Sequence, residues 1–247
     1  MWQLNYFQIQ IVLLSSMAQK KLIRFEAINS FPNVLQYPEN IKGKWKYFFT
    51  NDNPLILELA CGKGEYTVGL ARNNPEKNYI GVDIKGNRLY VGAKICLDEK
   101  ISNAAFLRIQ IDKIDEYFNT EEVSEIWITF PDPQLRRSKA KKRLTHPKFL
   151  RLYKKILTTG GCIHLKTDSP DLYYFTKLVI DHYHLNIISD INDVYKRENT
   201  HADLKIQTYY ERLDIAKSNT IFYLCFTLPE MLTDNDEKFY ELLKNDV

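Results

Sequence analysis

The sequence has few of the residues that build metal centres and disulfide frameworks. Its 247 residues include four cysteines, none in a CxxC pair, and five histidines without ligand spacing. We therefore expect no metal site and no disulfide framework, and free thiols fit a reducing, cytoplasmic compartment. The cysteines are Cys61, Cys96, Cys162 and Cys225. No apolar run approaches the ~20 residues that span a bilayer, so no membrane association is expected.

The N-terminal segment also lacks the marks of a signal peptide. No basic residue precedes its apolar stretch, Ile9–Leu14, and no small-residue cleavage site follows it. Met17 begins a more ordinary sequence. Residues 1–16 are therefore interpreted either as an extension from an upstream start site or as a loose arm.

One long segment contains no acidic residue at all. From Pro133 to Thr167 there are eleven lysines and arginines and neither Asp nor Glu. Of the chain's 34 bases only 23 lie outside this segment, against 31 acids. A run of charge is usually a solvated helix face, but the complete lack of interspersed acids favours a local binding site for a polyanion.

Short apolar runs alternate with helical patterns along the rest of the chain, which is 45% apolar. The predicted strands are 55–60, 78–83, 104–109, 125–130, 162–167, 185–191 and 220–228. The predicted helices are 66–72, 87–100, 146–157 and 170–184, the third closed by Gly160 and Gly161. This alternation predicts an α/β domain over residues 51–247 with a doubly wound, mostly parallel seven-stranded sheet. Residues 1–50 are predicted to form an N-terminal extension and arm.

Acidic residues lie at or just after the ends of five of these strands. In open sheets of this kind, ligands bind beyond the carboxyl ends of the strands. The acids are Glu58, Asp83, Asp112, Asp132 and Asp168, and the glycines Gly62 and Gly64 follow the first strand. Any one acid could cap a helix. Five caps in succession are a poor explanation, so we interpret the set as the lining of a binding site.

The loop after the first strand, ELACGKGEY, allows a ligand to approach the backbone closely. It lacks the third glycine of the dinucleotide fingerprint, because Thr67 occupies that position. Asp83 suits a ribose diol, which NAD and S-adenosylmethionine both carry. Glu58 separates the two ligands, because a carboxylate repels a pyrophosphate but suits an ammonium or sulfonium group. We therefore expect S-adenosylmethionine as the cofactor, ahead of NAD.

Five motifs together resemble the bacterial tRNA guanine-N7 methyltransferases, over about residues 20–228. The motifs are ELACGKGEY, NYIGVDIKGNRL, FPDPQLRRSKAKKRLTHPKFL, HLKTD and TYYE. The resemblance implies the Rossmann-like fold of class I methyltransferases and methyl transfer from S-adenosylmethionine to guanine N7 at position 46, in the variable loop of tRNA. The chain departs from the family pattern at three positions. Ala60 replaces the first glycine of the loop, Gln134 replaces an aromatic residue, and Arg136 stands where lysine is common.

The resemblance also implies which residues form the site. The implied cofactor-binding residues are Glu58, Gly62, Gly64, Asp83, Asp112 and Asp132. The implied tRNA-facing residues are Arg136, Asp168, Thr208, Tyr209, Tyr210 and Glu211. Core packing is the more ordinary role for Tyr209 and Tyr210, with base stacking as the alternative. Asp168 has the alternative role of capping the helix that begins near Pro170.

Methylation of guanine N7 explains why a rigid acid precedes a run of bases. N7 has an exposed lone pair, so alignment matters more than a strong base or nucleophile, and the sequence has no Ser-His-Asp or Cys-His set. Positive charge moves onto the base during transfer, and a nearby carboxylate stabilises it. Asp132, between Pro131 and Pro133, is the expected catalytic residue. The lysines and arginines that follow it in sequence are expected to contact tRNA phosphates.

Two other functions stay open from the residues alone. The chain could methylate a different acceptor, or it could be a non-catalytic RNA-binding module on the same fold. The sequence is compatible with a monomer and with a homodimer.

Overall fold

The computed structural model describes residues 19–213, 217 and 220–245, so the interpretations of residues 1–16 lie outside it. It contains one eight-stranded sheet in the order β1-β4-β3-β2-β5-β6-β8-β7. The strands are β1 Val34–Gln36, β2 Leu55–Leu59, β3 Asn78–Val82, β4 Ala104–Arg108, β5 Val123–Thr129, β6 Leu157–Thr167, β7 Asn186–Ile191 and β8 Phe222–Thr227. Every pairing is parallel except the two made by β8. The predicted doubly wound α/β fold is confirmed.

Helices cover both faces of the sheet. They are α1 (residues 19–27), α2 Trp45–Phe49, α3 Glu65–Asn73, α4 Gly86–Asp98, α5 Pro147–Ile156, α6 Pro170–His182, α7 Tyr209–Leu213 and α8 Glu237–Asn245. Strand β2 is buried along its whole length and alternates its side chains between two cores. Leu57 packs in one core and Ile56 in the other, which is why the sequence of β2 shows no polar alternation. No helix among the described residues combines the length and the hydropathy that a bilayer crossing requires.

The eighth strand comes from the segment that the sequence assigned to an arm. Val34–Gln36 pairs in parallel with β4 and extends the edge of the sheet. Trp45 is 1% exposed, stacks on Phe118 with ring centroids 5.3 Å apart, and donates its indole N–H to the Tyr117 carbonyl at 3.0 Å. These parts of residues 1–50 therefore share the sheet and the core of the domain that follows.

Gly160 and Gly161 do not close a helix, contrary to the prediction. Helix α5 ends at Ile156 and β6 begins at the next residue. The register between β5 and β6 shifts there, because Val123 pairs with Leu157 and Glu125 with Cys162. The four residues between Leu157 and Cys162 oppose a single residue of β5. Gly160 lies in this excursion with a φ of +78°, a conformation that favours glycine.

The sheet reverses its winding between β2 and β5. From β2 the chain adds β3 and β4 on one side, and β5 then returns to the other side of β2. The loops that leave the carboxyl ends of β2 and β5 therefore diverge and leave a crevice between them. Such a switch point is where ligands bind in open α/β sheets.

Candidate active site

A cleft of about 640 Å³ lies at this switch point. That volume is within the range of small-molecule sites. Its lining combines the ends of β2, β3, β5 and β6 with the segment before α7: Glu58, Ala60, Cys61, Gly62, Lys63, Glu65, Asp83, Lys85, Arg88, Thr129, Phe130, Pro131, Asp132, Pro133, Leu135, Asp168, Ser169, Pro170, Asp171 and Thr208. The cleft thus brings together four of the five predicted strand-end acids.

Glu58 is a buried carboxyl that joins three elements at the base of the cleft. Its Oε1 accepts a hydrogen bond from Thr129 Oγ1 at 2.6 Å, and its Oε2 accepts from the Thr67 N–H at 2.7 Å and from the Thr67 hydroxyl. Burial raises the pKa of Glu58 to about 7, although these hydrogen bonds oppose the shift. A cation bound in the cleft would favour its ionised form.

The loop after β2 is a tight turn held by Asp83. The two carboxylate oxygens of Asp83 accept hydrogen bonds from the Gly62 N–H at 2.9 Å and the Lys85 N–H at 2.8 Å. Ala60, Gly62 and Gly64 all have positive φ, of 56°, 57° and 69°. The loop therefore turns through a conformation that disfavours the methyl group of Ala60.

Gly64 supports the cleft from behind and is absent from its lining. A Cβ at Gly64 would lie 2.3 Å from the ring of Phe106, so the close packing of the loop on β4 requires glycine. Its contact with a cofactor stays a prediction.

Asp132 is held at the opposite wall by the backbone on both sides. Phe130 and Gln134 have positive φ, of 46° and 50°. Pro131 and Pro133, which flank Asp132, each have a φ fixed by the proline ring. Left-handed backbone at a bulky residue such as Phe130 is strained and is characteristic of functional sites. The Gln134 N–H donates to Asp132 Oδ1 at 3.0 Å, while the Asp132 side chain remains exposed to the cleft.

Arg143 holds this loop from below. Its Nε donates to the Pro133 carbonyl at 3.1 Å, and its guanidinium lies 4.4 Å from the centroid of the Phe175 ring. Arg143 is 8% exposed, and burial lowers its pKa. This residue of the basic run is therefore part of the protein's interior.

Nine of the ten remaining basic residues, all except Lys154, fall into two groups. Those in the 3-10 helix and its cap project into solvent beside the cleft: Arg136, Arg137, Lys139, Lys141 and Lys142, which we call the basic segment. Those farther along the chain pair with carboxylates: Lys148 with Asp112, Arg151 with Asp236, Lys155 with Asp115 and Lys166 with Glu211. The first group follows directly in sequence on the cleft-lining residues Asp132, Pro133 and Leu135.

The TYYE motif begins at the cleft and turns inward. Thr208 lines the cleft, and its hydroxyl accepts from the Glu211 N–H at 3.1 Å while Glu211 Oε2 accepts from the Thr208 N–H at 3.4 Å. This reciprocal pair is a capping box at the start of α7. Glu211 is 8% exposed and is not among the lining residues, so it supports the cleft through Thr208.

The first tyrosine of the motif, Tyr209, is exposed. Tyr209 is 41% exposed, with Lys63 Nζ 3.6 Å from its ring centroid, so it lies at the surface and core packing does not describe it. The side chain of Tyr210 is outside the described residues.

Asp112 and Asp168 take different places. Asp112 points away from the cleft lining, its side chain 55% exposed and 3.1 Å from Lys148 Nζ. Asp168 lines the cleft. The residue that caps α6 is its neighbour Ser169, whose Oγ accepts from the Leu172 N–H at 3.3 Å, so the capping alternative for Asp168 is wrong.

Sequence reasoning missed Lys166, a buried cation that holds the segment before α7 and Glu211. Lys166 is fully buried, and its Nζ donates to the Ile206 carbonyl at 2.9 Å and to Glu211 Oε2 at 3.1 Å. Burial lowers its pKa, and Glu211 opposes the shift. The three-residue spacing of Thr208 and Glu211 signals a capping box, but nothing in the sequence signals the partner of Glu211.

Sequence comparisons with known proteins show the family of the chain. A family model described as a putative methyltransferase matches residues 52–224. A tRNA (guanine-N(7)-)-methyltransferase of Porphyromonas gingivalis is 47% identical over 215 residues, covering 82% of this chain and 87% of that protein. One of Christiangramia forsetii is 45% identical over 221 residues, covering 85% of this chain and 99% of that protein.

Solved structures agree on the fold alone. The crystal structure of the 16S rRNA methyltransferase KamB matches with a TM-score of 0.59 at 12% identity, covering 80% of this chain and 99% of that chain. The crystal structure of the 16S rRNA (adenine(1408)-N(1))-methyltransferase from Catenulisporales acidiphilia matches with a TM-score of 0.54 at 12% identity, covering 75% of this chain and 92% of that chain. By its sequence relatives, which match over more than four-fifths of its length, the chain belongs to the tRNA (guanine-N(7)-)-methyltransferase family.

Proposed function

We propose that this protein transfers a methyl group from S-adenosylmethionine to N7 of a guanine in tRNA, at position 46 of the variable loop. The observation that carries the proposal is the position of Asp132, an exposed carboxylate fixed between two prolines at the mouth of a cleft that has buried acids on its other wall. The printed activity of the sequence relatives supports the same reaction. A protein that methylates tRNA is expected in the cytoplasm.

The cleft fits S-adenosylmethionine by the chemistry of its donors. Each oxygen of Asp83 accepts one backbone N–H and retains capacity to accept a ribose hydroxyl. Glu58 supplies a carboxyl whose ionisation a cationic ligand favours. Bound there, S-adenosylmethionine supplies an electrophilic methyl group. A pyrophosphate would meet two acids at the same place, which disfavours a dinucleotide.

Asp132 acts on the acceptor base. Guanine N7 is a nucleophile without deprotonation, and no histidine is among the lining residues. Burial raises the pKa of the Cys61 thiol, which therefore stays neutral and serves neither as base nor as nucleophile. Asp132 orients the base and stabilises the positive charge that develops on its imidazole ring. Its restrained backbone positions the carboxylate before the tRNA arrives.

The basic segment anchors the tRNA backbone beside this acid. Its five bases lie on the 3-10 helix Arg137–Lys142 and on the residue before it, a few residues after Asp132 in sequence. Contacts to phosphates fix the position and register of a nucleic acid without reading its sequence. The base to be methylated is then selected by the cleft.

Nucleoside mass spectrometry tests the proposal. The full chain is incubated with tRNA lacking the modification and with S-adenosylmethionine carrying an isotopic methyl label, and the digested nucleosides are analysed. We expect label in 7-methylguanosine, lost when the target guanine is replaced. Asp132→Asn should lower the yield in a fixed time, and Asp115→Asn, an acid paired with Lys155 outside the cleft, should not.

Other outcomes of this experiment discriminate the alternatives. Label on a different nucleoside would mean another acceptor. Binding of tRNA without any label would mean a non-catalytic RNA-binding module.

A further inference from the structure

Two cysteines and a histidine that are distant in sequence meet on one face of the sheet. Strand β6 carries Cys162 and His164 two residues apart, and its antiparallel pairing with β8 places Cys225 opposite His164. Side chains two residues apart on a strand share a face, and so do directly paired residues. One ligand atom of each of the three side chains lies within 4.8 Å of the others.

His164 is oriented as metal-binding histidines are. Its Nδ1 lies 2.8 Å from the Tyr223 hydroxyl, and its ring stacks on Trp127 with centroids 4.0 Å apart. These contacts fix the ring from one edge and one face. A ligating histidine characteristically has its second nitrogen hydrogen-bonded to a neighbouring group, which fixes ring and tautomer.

The other ring nitrogen of His164, Nε2, makes no hydrogen bond within the described part of the chain. His164 is 8% exposed, and its Nε2 is a buried polar atom without a hydrogen-bond partner among the described residues. Glu125 Oε2 is near, at 3.5 Å, but the contact does not have hydrogen-bond geometry. Buried polar nitrogens are rarely left unsatisfied, because the desolvation is costly. An electron-pair acceptor bound between Nε2 and the two sulfurs would satisfy it.

We propose that Cys162, His164 and Cys225 form a binding site for a divalent cation of the zinc class. Two thiolates and an imidazole are soft and borderline ligands, which select Zn²⁺ or Cd²⁺ over Mg²⁺ and Ca²⁺. In a tetrahedral zinc site two sulfurs lie about 3.8 Å apart, so the three side chains need to close by about 1 Å. Cys162 adjoins the irregular Gly160–Gly161 excursion of β6, which can accommodate such a shift.

This site departs from the absence of a metal expected from the sequence. That expectation rested on the spacing of cysteines along the chain. Strand pairing instead brings Cys225 next to His164, which is 61 positions earlier in the sequence. Glu125, which Lys77 holds at 2.9 Å, is beside the three ligands and can take the fourth position or bond a water there.

The proposed site is separate from the cleft. Glu125 lies four residues before Thr129 on β5, and Thr129 lines the cleft. His164 is closer to the cleft than Glu125, because its strand partner Trp127 is two residues before Thr129. At about 3.3 Å per residue, the proposed site therefore lies roughly 7 to 13 Å from the cleft along the strand. Cys162 is only partly buried, so an ion can enter from solvent without passing through the cleft. A bound ion would join β8 to β6 by ligands in addition to their backbone hydrogen bonds.

Titration of the full, reduced chain with Cd²⁺ and with Zn²⁺ tests this proposal. We expect one Cd²⁺ per chain with a thiolate-to-metal charge-transfer band, and a rise in the unfolding temperature with Zn²⁺, as for any ligand that binds the folded state. Cys162→Ser and Cys225→Ser should each weaken Cd²⁺ binding at least tenfold and abolish the Zn²⁺-dependent rise. Cys96→Ser, a buried cysteine on α4 outside the cluster, is the matched control and should change neither.

The proposal is overturned if the wild-type chain binds no Cd²⁺ in stoichiometric amounts, or if the band survives in both cluster variants. Should Cys225→Ser fail to fold, the partly exposed Cys162→Ser carries the same test. His164→Gln supplies a third reading, since the band should then keep its sulfur character while the affinity falls.

Discussion

The two loops that face each other across the cleft hold their carboxylates in opposite ways. On the β2 side, Glu58 and Asp83 are 2% and 8% exposed. Asp83 accepts a hydrogen bond from Gly62 in the loop, and Glu58 accepts one from Thr67 at the start of the helix that follows. On the β5 side, Asp132 is exposed, and prolines and strained neighbours hold its backbone. Glu58 and Asp83 are thus part of the folded framework, whereas Asp132 is exposed in the cleft. Changes on the β2 side should alter stability and cofactor binding, and changes on the β5 side should alter tRNA binding and rate.

The largest effect is expected from the β5 side, in tRNA affinity. Replacing Arg137, Lys139, Lys141 and Lys142 with glutamine should lower the log–log salt slope by roughly 3, at 0.7–0.9 per lost phosphate contact. At 0.1 M salt this corresponds to a loss of affinity of up to about a thousandfold. Filter binding or fluorescence anisotropy across a salt series measures it.

The control for this prediction uses bases that are already paired. Lys148→Gln with Lys155→Gln removes two charges held by Asp112 and Asp115, so the slope should change little. An unaltered slope in the four-base variant would mean that the basic segment is only a solvated face.

The next effect is on the stability of the β2 side. The folded-state pKa of Glu58 is raised from 4.5 to about 7, so its protonated form favours the folded state. That contribution is complete below pH 4.5 and is lost as the pH rises through about 7, a change of about 3 kcal/mol. Glu58→Gln should remove this pH dependence. Urea denaturation of both proteins from pH 5 to pH 8 measures the difference, and parallel curves would contradict the assignment.

Cofactor affinity should depend on the other acid of this side. Asp83→Ala should weaken S-adenosylmethionine binding by about 1.5–3 kcal/mol, the range for hydrogen bonds to a charged group. Isothermal titration calorimetry measures the affinity, and circular dichroism checks that the variant is folded, since Asp83 also holds Gly62 and Lys85. Unchanged affinity in a folded variant would remove Asp83 from the cofactor site.

The reaction rate should depend on Asp132. Asp132→Asn retains an acceptor for the Gln134 N–H but loses the charge. We expect the single-turnover rate to fall at least tenfold, about 1.4 kcal/mol, with tRNA affinity changed much less. If S-adenosylmethionine binding collapsed while the rate at saturating cofactor stayed near that of the wild type, Asp132 would be a cofactor ligand and its catalytic role would be withdrawn.

The smallest effect is expected at Ala60. Its φ of 56° costs an L-residue about 1–2 kcal/mol, partly offset by the greater flexibility of unfolded glycine. Ala60→Gly should therefore raise the free energy of unfolding by about 0.5–1 kcal/mol. Ala71→Gly, within α3, should lower it by about 1 kcal/mol or more. Chemical denaturation compares the two, and a destabilised Ala60→Gly would show that the loop relaxes around alanine.

The strand-end acids of the cleft could be found from sequence because the argument needs only periodicity. Parallel strands end at a common edge, so Glu58, Asp83, Asp132 and Asp168 meet there whatever their loops do. Asp112 is not among the lining residues, because the chain after β4 enters the 3-10 helix Ile111–Glu116, where the Asp112 carboxylate pairs with Lys148. Its role in cofactor binding stays a prediction.

Partnerships across the fold could not be found in this way. A count of charges along the sequence includes Arg143 and Lys166. In the structure, Arg143 is bound to backbone carbonyls and Lys166 is bound to the buried carboxylate of Glu211. Which base is exposed depends on the packing of α6 and α7 against the sheet, and a charge count contains no such information. Likewise β1 is too short at three residues to show any alternation.

The position of β8 inside the sheet has a consequence for synthesis on the ribosome. It is the last strand of the described chain, yet it lies between β6 and β7 and is the sole partner of β7. Strands β2 to β5 can pair as they emerge, since domains tend to form from the N-terminal side during translation. Strand β6 keeps an open edge until residues 222–227 have been made. A nascent or truncated chain that stops before Phe222 exposes that edge to other chains, so completion of the C-terminal strand also protects the protein against aggregation.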